Sequence, residues 1–84
     1  MNAIKVVCRN PSNSLLSGFI QVSQRGAKPL TVAYDQVVGA NAVEKAAEAA
    51  AHYVDTRLPN TGITGWGRLT SDVYVFTLKD LGDA

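Results

Sequence analysis

Four places in the sequence hold side chains capable of chemistry. Cys8 is the sole thiol and His52 the sole imidazole. A nucleophilic cysteine needs a base or an electropositive setting to lower its pKa. No such group stands beside Cys8, and its place in a strand-like alternation points inward, so it reads as a small buried hydrophobe. His52 follows Glu48 by four residues, which suits a surface Glu–His pair on one helix face. Cys8 and His52 cannot make a zinc site between them, because such a site takes at least three protein ligands. Glu44 and Glu48 share a helix face, but both are expected to be exposed, which does not make a catalytic pair. Glu44 is better explained by a helix start, where the dipole favours a carboxylate.

The fourth place is Gly65-Trp66-Gly67-Arg68, where two glycines bracket the sole tryptophan. A glycine loop that cradles phosphate sits between a strand and a helix start. Here it falls between a helix and a hairpin, so contact chemistry is the better functional reading. Tryptophan and arginine are enriched among interface hot spots. The competing reading is a core tryptophan with glycines shaping a bulge beneath it. By alternation, Trp66 and Arg68 share one strand face, opposite to Ile63 and Leu69. Arg9 and Arg25 are the further candidates for partner contact.

The elements that must position these residues are legible from pattern. Ile4–Arg9, Gly18–Arg25 and Pro29–Tyr34 alternate as strands, with Ile4, Val6, Cys8, Ile20, Val22, Leu30, Val32 and Tyr34 on the core side. Asn10-Pro-Ser-Asn-Ser14 reads as a loop, and Arg25-Gly26-Ala27-Lys28 as a hairpin connection. Asn41–Leu58 is an alanine-rich amphipathic helix. Asn41 is its cap, and Glu44 completes the capping-box spacing. Val43, Ala47, Ala50 and Val54 form its apolar stripe, flanked by Ala46 and Tyr53. Glu44, Lys45, Glu48, His52 and Asp55 form its polar face. Pro59-Asn60-Thr61-Gly62 stops the helix. Ile63–Thr70 and Val73–Leu78 then make a hairpin around Ser71-Asp72, with Tyr74, Phe76 and Leu78 sharing a face. Gly82-Asp83-Ala84 is expected to fray. The predicted fold is α+β: an antiparallel sheet of four to five strands with one helix packed on one face, in the order βββαββ. It forms a single domain over residues 1–84. The other sheet face is left open or covered by a partner.

The chain has 84 residues, 46% apolar and 18% charged, with a net charge of +1. A chain of this size buries roughly 60–65% of its unfolded surface. Its composition is not that of a disordered protein. No apolar run reaches the ~18 residues of a membrane span. The start, Met1–Asn10, lacks the apolar core and cleavage site of a signal peptide, so a cytoplasmic location is expected. One cysteine excludes an intramolecular disulfide, and no cofactor or metal is implied. The charge balance carries no signature of a nucleic-acid binder. A local platform is still conceivable on the open sheet face, from Lys5, Arg9, Phe19, Gln21, Ser23 and Thr31, with Trp66 and Arg68. Aromatic and basic residues on a sheet can stack single-stranded bases. Asp35 also falls on that face, and ordinary solvated surface is the alternative.

The layout from Gly18 to Leu81 resembles small phage-encoded anti-CRISPR proteins, in particular one of the type I inhibitors. A short hairpin with an Arg25-Gly26 turn precedes the alanine-rich Ala46-Ala47-Glu48-Ala49-Ala50-Ala51. A glycine-containing connection and the closing apolar strand Val73-Tyr74-Val75-Phe76 follow. The resemblance implies a non-enzymatic inhibitor that binds and occludes a host CRISPR surveillance complex or nuclease. These inhibitors share no common motif, so it assigns no residue. Three strands followed by a helix also resemble the arm-binding domains of phage integrases and the plant APETALA-type DNA-binding domains. This chain departs from them in two ways. Its third strand, Leu30-Thr31-Val32-Ala33-Tyr34-Asp35, has no basic residue, and a hairpin is added at its end. The expected function is therefore inhibition or adaptation by contact with a host protein or ribonucleoprotein. Nucleic-acid binding and virion assembly are the alternatives.

Overall fold

The computed structural model describes residues 2–9 and 18–81. The loop expected at residues 10–14 and the fraying expected at residues 82–84 lie outside them. The strands are β1 (Asn2–Arg9), β2 (Phe19–Ser23), β3 (Leu30–Ala33), β4 (Thr61–Thr70) and β5 (Val73–Asp80). A short 3-10 turn, Tyr34–Gln36, follows β3, and the helix α1 spans Ala42–Arg57. The fold is α+β, with the expected element order apart from the 3-10 turn. The five strands form one antiparallel sheet in the order β3-β2-β1-β5-β4.

β1 is the central strand, paired with β2 on one side and β5 on the other. Val6 faces Val22 on one side and Tyr74 on the other, and Ile4 faces Phe76. The first three strands run as a meander, each beside the next in sequence. The helix then carries the chain from the β3 edge to the β4 edge. Its 16 residues reach about 24 Å at 1.5 Å each. That exceeds the roughly 19 Å between the outer strands of a five-stranded sheet.

The buried cluster is continuous. Ile4, Val6, Cys8, Ile20, Val22, Tyr74, Phe76 and Leu78 of the sheet meet Ala46, Ala49, Ala50, Tyr53 and Val54 of the helix. Alanine side chains let the helix axis come close to the sheet, and Tyr53 fills the wider space near its C-terminal end. The buried stripe runs through positions 46, 49, 50, 53 and 54, a regular i, i+3, i+4, i+7, i+8 pattern. Ala47, expected on that stripe, is exposed. Neighbouring alanines are nearly equivalent in hydrophobicity, so the larger Tyr53 and Val54 decide the rotation of the helix.

The helix ends are built as their residue types dictate. Asn41 Oδ1 accepts the Glu44 N–H at 2.9 Å, and Glu44 Oε1 accepts the Ala40 N–H at 3.1 Å. Two otherwise orphaned donors are thus satisfied. Lys45, expected on the polar face, is half-buried. Its ammonium donates to Tyr34 O at 3.0 Å and Val37 O at 2.7 Å, and lies 4.5 Å from the Tyr34 ring centroid. This pins the 3-10 turn to the first helical turn. Gly39 lies in the same connection, where a Cβ would stand 2.8 Å from the Lys45 backbone nitrogen. At the other end, Arg57 Nη1 donates to Lys28 O at 2.6 Å, tying the helix to the β2–β3 turn.

Candidate contact surface at the β4 edge

Cys8 is 2% exposed, and its Sγ lies 3.9 Å from Ala42 O. Burial pushes its thiol above the ordinary value, the Asp72 carboxylate adds to the rise, and Lys45 opposes it. A buried, protonated thiol is a packing group. His52 is exposed on α1. It lies at the rim of a groove of about 220 Å³ between α1 and β3, together with Glu48. Among the described residues, no three His, Cys, Asp or Glu side chains come together as a metal site.

Gly65-Trp66-Gly67-Arg68 lies in β4, an outer strand of the sheet. This strand of ten residues pairs on one side with β5 and, among the described residues, with nothing on the other. An unpaired strand edge presents a row of backbone donors and acceptors. Trp66 is 54% exposed and Leu69 65%, and Ile63 and Leu81 are exposed as well. The indole is neither a core residue nor a free side chain. Its ring centroid lies 6.1 Å from that of Tyr74 and 6.4 Å from that of Phe76, two residues of the buried cluster. Arg68 lies 5.5 Å from the Tyr74 ring centroid and donates to Ser71 O at 3.0 Å. The core rings thus hold one face of the indole and leave the rest to solvent.

This placement corrects two expectations. Trp66 pairs with Phe76 and Arg68 with Tyr74, so both stand on the helix side of the sheet and not on its open face. Ile63 pairs with Leu78 and shares their face instead of opposing it. The cause is a pair of register shifts, between Ile63 and Gly65 and between Arg68 and Thr70. Counting back from a two-residue turn puts Arg68 opposite Val75. The second shift puts it opposite Tyr74 and moves the side chains to the other face. The first shift is held by Thr64, whose hydroxyl meets that of Thr77 at 3.0 Å, while Thr77 Oγ1 donates to Gly65 O at 3.2 Å. The glycines did signal a bulge, but period-two alternation does not count one.

The other two arginines lie elsewhere. Arg9, in β1, follows the buried Cys8 and so stands on the open face. It is paired with Asp72 at 3.0 Å. Arg25 is exposed in the β2–β3 turn. β2 begins opposite Arg9 and ends opposite Lys5, so Arg25 is at the far end of the sheet from Arg9. The structure brings Trp66 and Arg68 together, sets Arg9 on the opposite face at the same Ser71-Asp72 turn that Arg68 binds, and leaves Arg25 apart from them.

The open face therefore lacks two residues expected on it. Lys5, Arg9, Phe19, Gln21, Ser23 and Thr31 remain there, interleaved with Val7, Val73 and Val75. Gln21 Nε2 is 3.4 Å from Thr31 Oγ1, and the charge of Arg9 is matched by Asp72. Asp35 belongs to the 3-10 turn and not to the sheet. Without the indole and Arg68, this face is a weak platform for stacking bases along a phosphate backbone. Among the described residues, no helix is long and apolar enough to cross a membrane. Comparison with protein-family models, curated proteins and solved structures finds no match to this chain.

Proposed function

We propose that this protein is a non-catalytic binding module that works by protein–protein contact through the β4 edge. The observation that carries the reading is an outer strand of ten residues, unpaired on one side among the described residues, with Trp66, Ile63 and Leu69 exposed along it. Soluble proteins usually protect such an edge with charge, proline, bulges or a covering element. β4 has two register shifts but no proline and only one charge, Arg68, which folds back over Tyr74. A large aromatic already braced against core rings loses little side-chain freedom on binding, the property expected of a contact anchor.

The finer reading is an inhibitor like the anti-CRISPR proteins, acting in the host cytoplasm by occluding a surveillance complex or nuclease. Its support is the likeness of layout from Gly18 to Leu81. The test is capture of a purified type I surveillance complex by the tagged protein, compared with Trp66→Ala/Arg68→Ala. Loss of capture by the double variant, with unchanged circular dichroism, supports both the function and the site. Failure of the wild-type protein to capture any such complex overturns the inhibitor reading. Retained capture by a folded double variant overturns the site.

A further inference from the structure

The two outer edges of the sheet differ in a complementary way. β4 is long, and on the helix side it carries a half-exposed indole and a guanidinium, both lying over core rings. β3 is short, four residues, and beside it on the same side lies the groove of about 220 Å³. Val22, Leu30, Val32 and Ala49 line its apolar walls, while Glu48 and His52 stand at its rim. The groove is smaller than the roughly 300–1,000 Å³ of typical small-molecule pockets. It is the size of a site for one large side chain. Among the described residues, Glu48 makes no hydrogen bond or ion pair, and no lysine or arginine lines the groove.

We propose that the groove receives Trp66 of a second copy of this chain, so that copies join head to tail with β4 of one beside β3 of the next. The inference rests on the reading of β4 as the contact surface and names its partner. Four antiparallel steps separate β3 from β4, so the two strands run in the same direction. A copy displaced sideways therefore sets β4 parallel to the neighbour's β3, with both helices on one side of a continuous sheet. The pairing puts Arg68 level with Leu30 and Trp66 one two-residue step before it, so a slide of that one step along the strand sets the indole against the groove and brings Arg68 toward the rim that holds Glu48. Two-fold pairing of β4 with β4 instead brings two cations together without a carboxylate on the strand and leaves the groove empty. A head-to-tail interface closes into a ring or extends as a filament, according to the rotation between copies.

Sedimentation of the purified chain over a wide concentration range tests this. The wild type is expected to give species larger than a dimer as concentration rises. Trp66→Ala removes the indole, and Glu48→Arg reverses charge at the groove. Each variant alone is expected to need at least about tenfold higher concentration to associate, the equivalent of ~1.4 kcal/mol. Their equimolar mixture is expected to form a dimer that grows no further, through the intact groove of the first and the intact strand of the second. Arg68→Glu serves in place of Trp66→Ala if that variant does not fold, and Arg68→Glu/Glu48→Arg is expected to restore association. A monomeric wild type overturns the inference. If its capture of a host complex still depends on Trp66, the contact surface stands and the second copy does not. Association by Glu48→Arg equal to wild type assigns the edge to two-fold pairing and overturns the head-to-tail arrangement.

Discussion

Replacing Tyr74 by phenylalanine is expected to stabilise this protein. The Tyr74 ring is fully buried, and its hydroxyl finds no hydrogen-bond partner among the described residues. A buried polar group without a partner costs about 1–3 kcal/mol relative to the hydrated unfolded chain. Phenylalanine removes that cost and keeps the ring that Trp66 and Arg68 pack against. For a domain of 84 residues, each kcal/mol moves the melting temperature by about 4–8 °C, so the smallest expected rise is about 4 °C. Tyr53→Phe is the internal control. Tyr53 is equally buried, but its hydroxyl is 3.3 Å from Gln24 Oε1. The same atom lost there is expected to cost about 0.5–1.5 kcal/mol. Thermal unfolding followed by far-ultraviolet circular dichroism reads both, avoiding the fluorescence of the neighbouring Trp66. A lower or unchanged melting temperature for Tyr74→Phe refutes the reasoning, since it means that the hydroxyl is satisfied in solution.

Three further substitutions probe the devices that fix the helix and the core. Gly39→Ala places a methyl group 2.8 Å from the Lys45 backbone nitrogen, and the forced shift is expected to cost about 1–3 kcal/mol in urea unfolding. Asn41→Ala removes the acceptor of the Glu44 N–H, with an expected loss of about 1 kcal/mol that Asn41→Asp recovers. Cys8 gives a pH dependence, because burial raises its thiol above the ordinary 9.0. Between the unfolded and native values, the unfolded chain has lost a proton that the native state keeps. The contribution is therefore full below pH 9 and is lost as pH rises toward the native value. Denaturation midpoints on either side of that pH are expected to fall for wild type and to fall less for Cys8→Ala; equal slopes would count against a buried, protonated thiol.

Short-range rules carried most of the fold. The cap at Asn41 and Glu44 depends on three residues of separation, and the turn at Arg25-Gly26 on adjacent ones, so both could be read directly. Strand alternation in β1, β2 and β5 identified their inward faces correctly, because each has an uninterrupted period of two. The helix was legible in its extent but not in its rotation. Its many alanines differ too little to say which face the sheet selects, and Ala47, expected on the buried stripe, is exposed. Lys45 could not be found from sequence, since its acceptors are backbone carbonyls of a connection whose path only the fold defines.

The sequence by itself determined the order of strands and helix, the cap, and the inward faces of β1, β2 and β5. Those follow from local propensity and periodicity. Tertiary structure decided which face of β4 carries Trp66 and Arg68 and which strands lie at the edges. The face turns on two register shifts, each adding a residue that alternation cannot count, and the edges turn on the order in which distant strands pair. Both are settled by packing between segments far apart in the chain. That is why the residues singled out for contact could be named from sequence, while the surface they form could not.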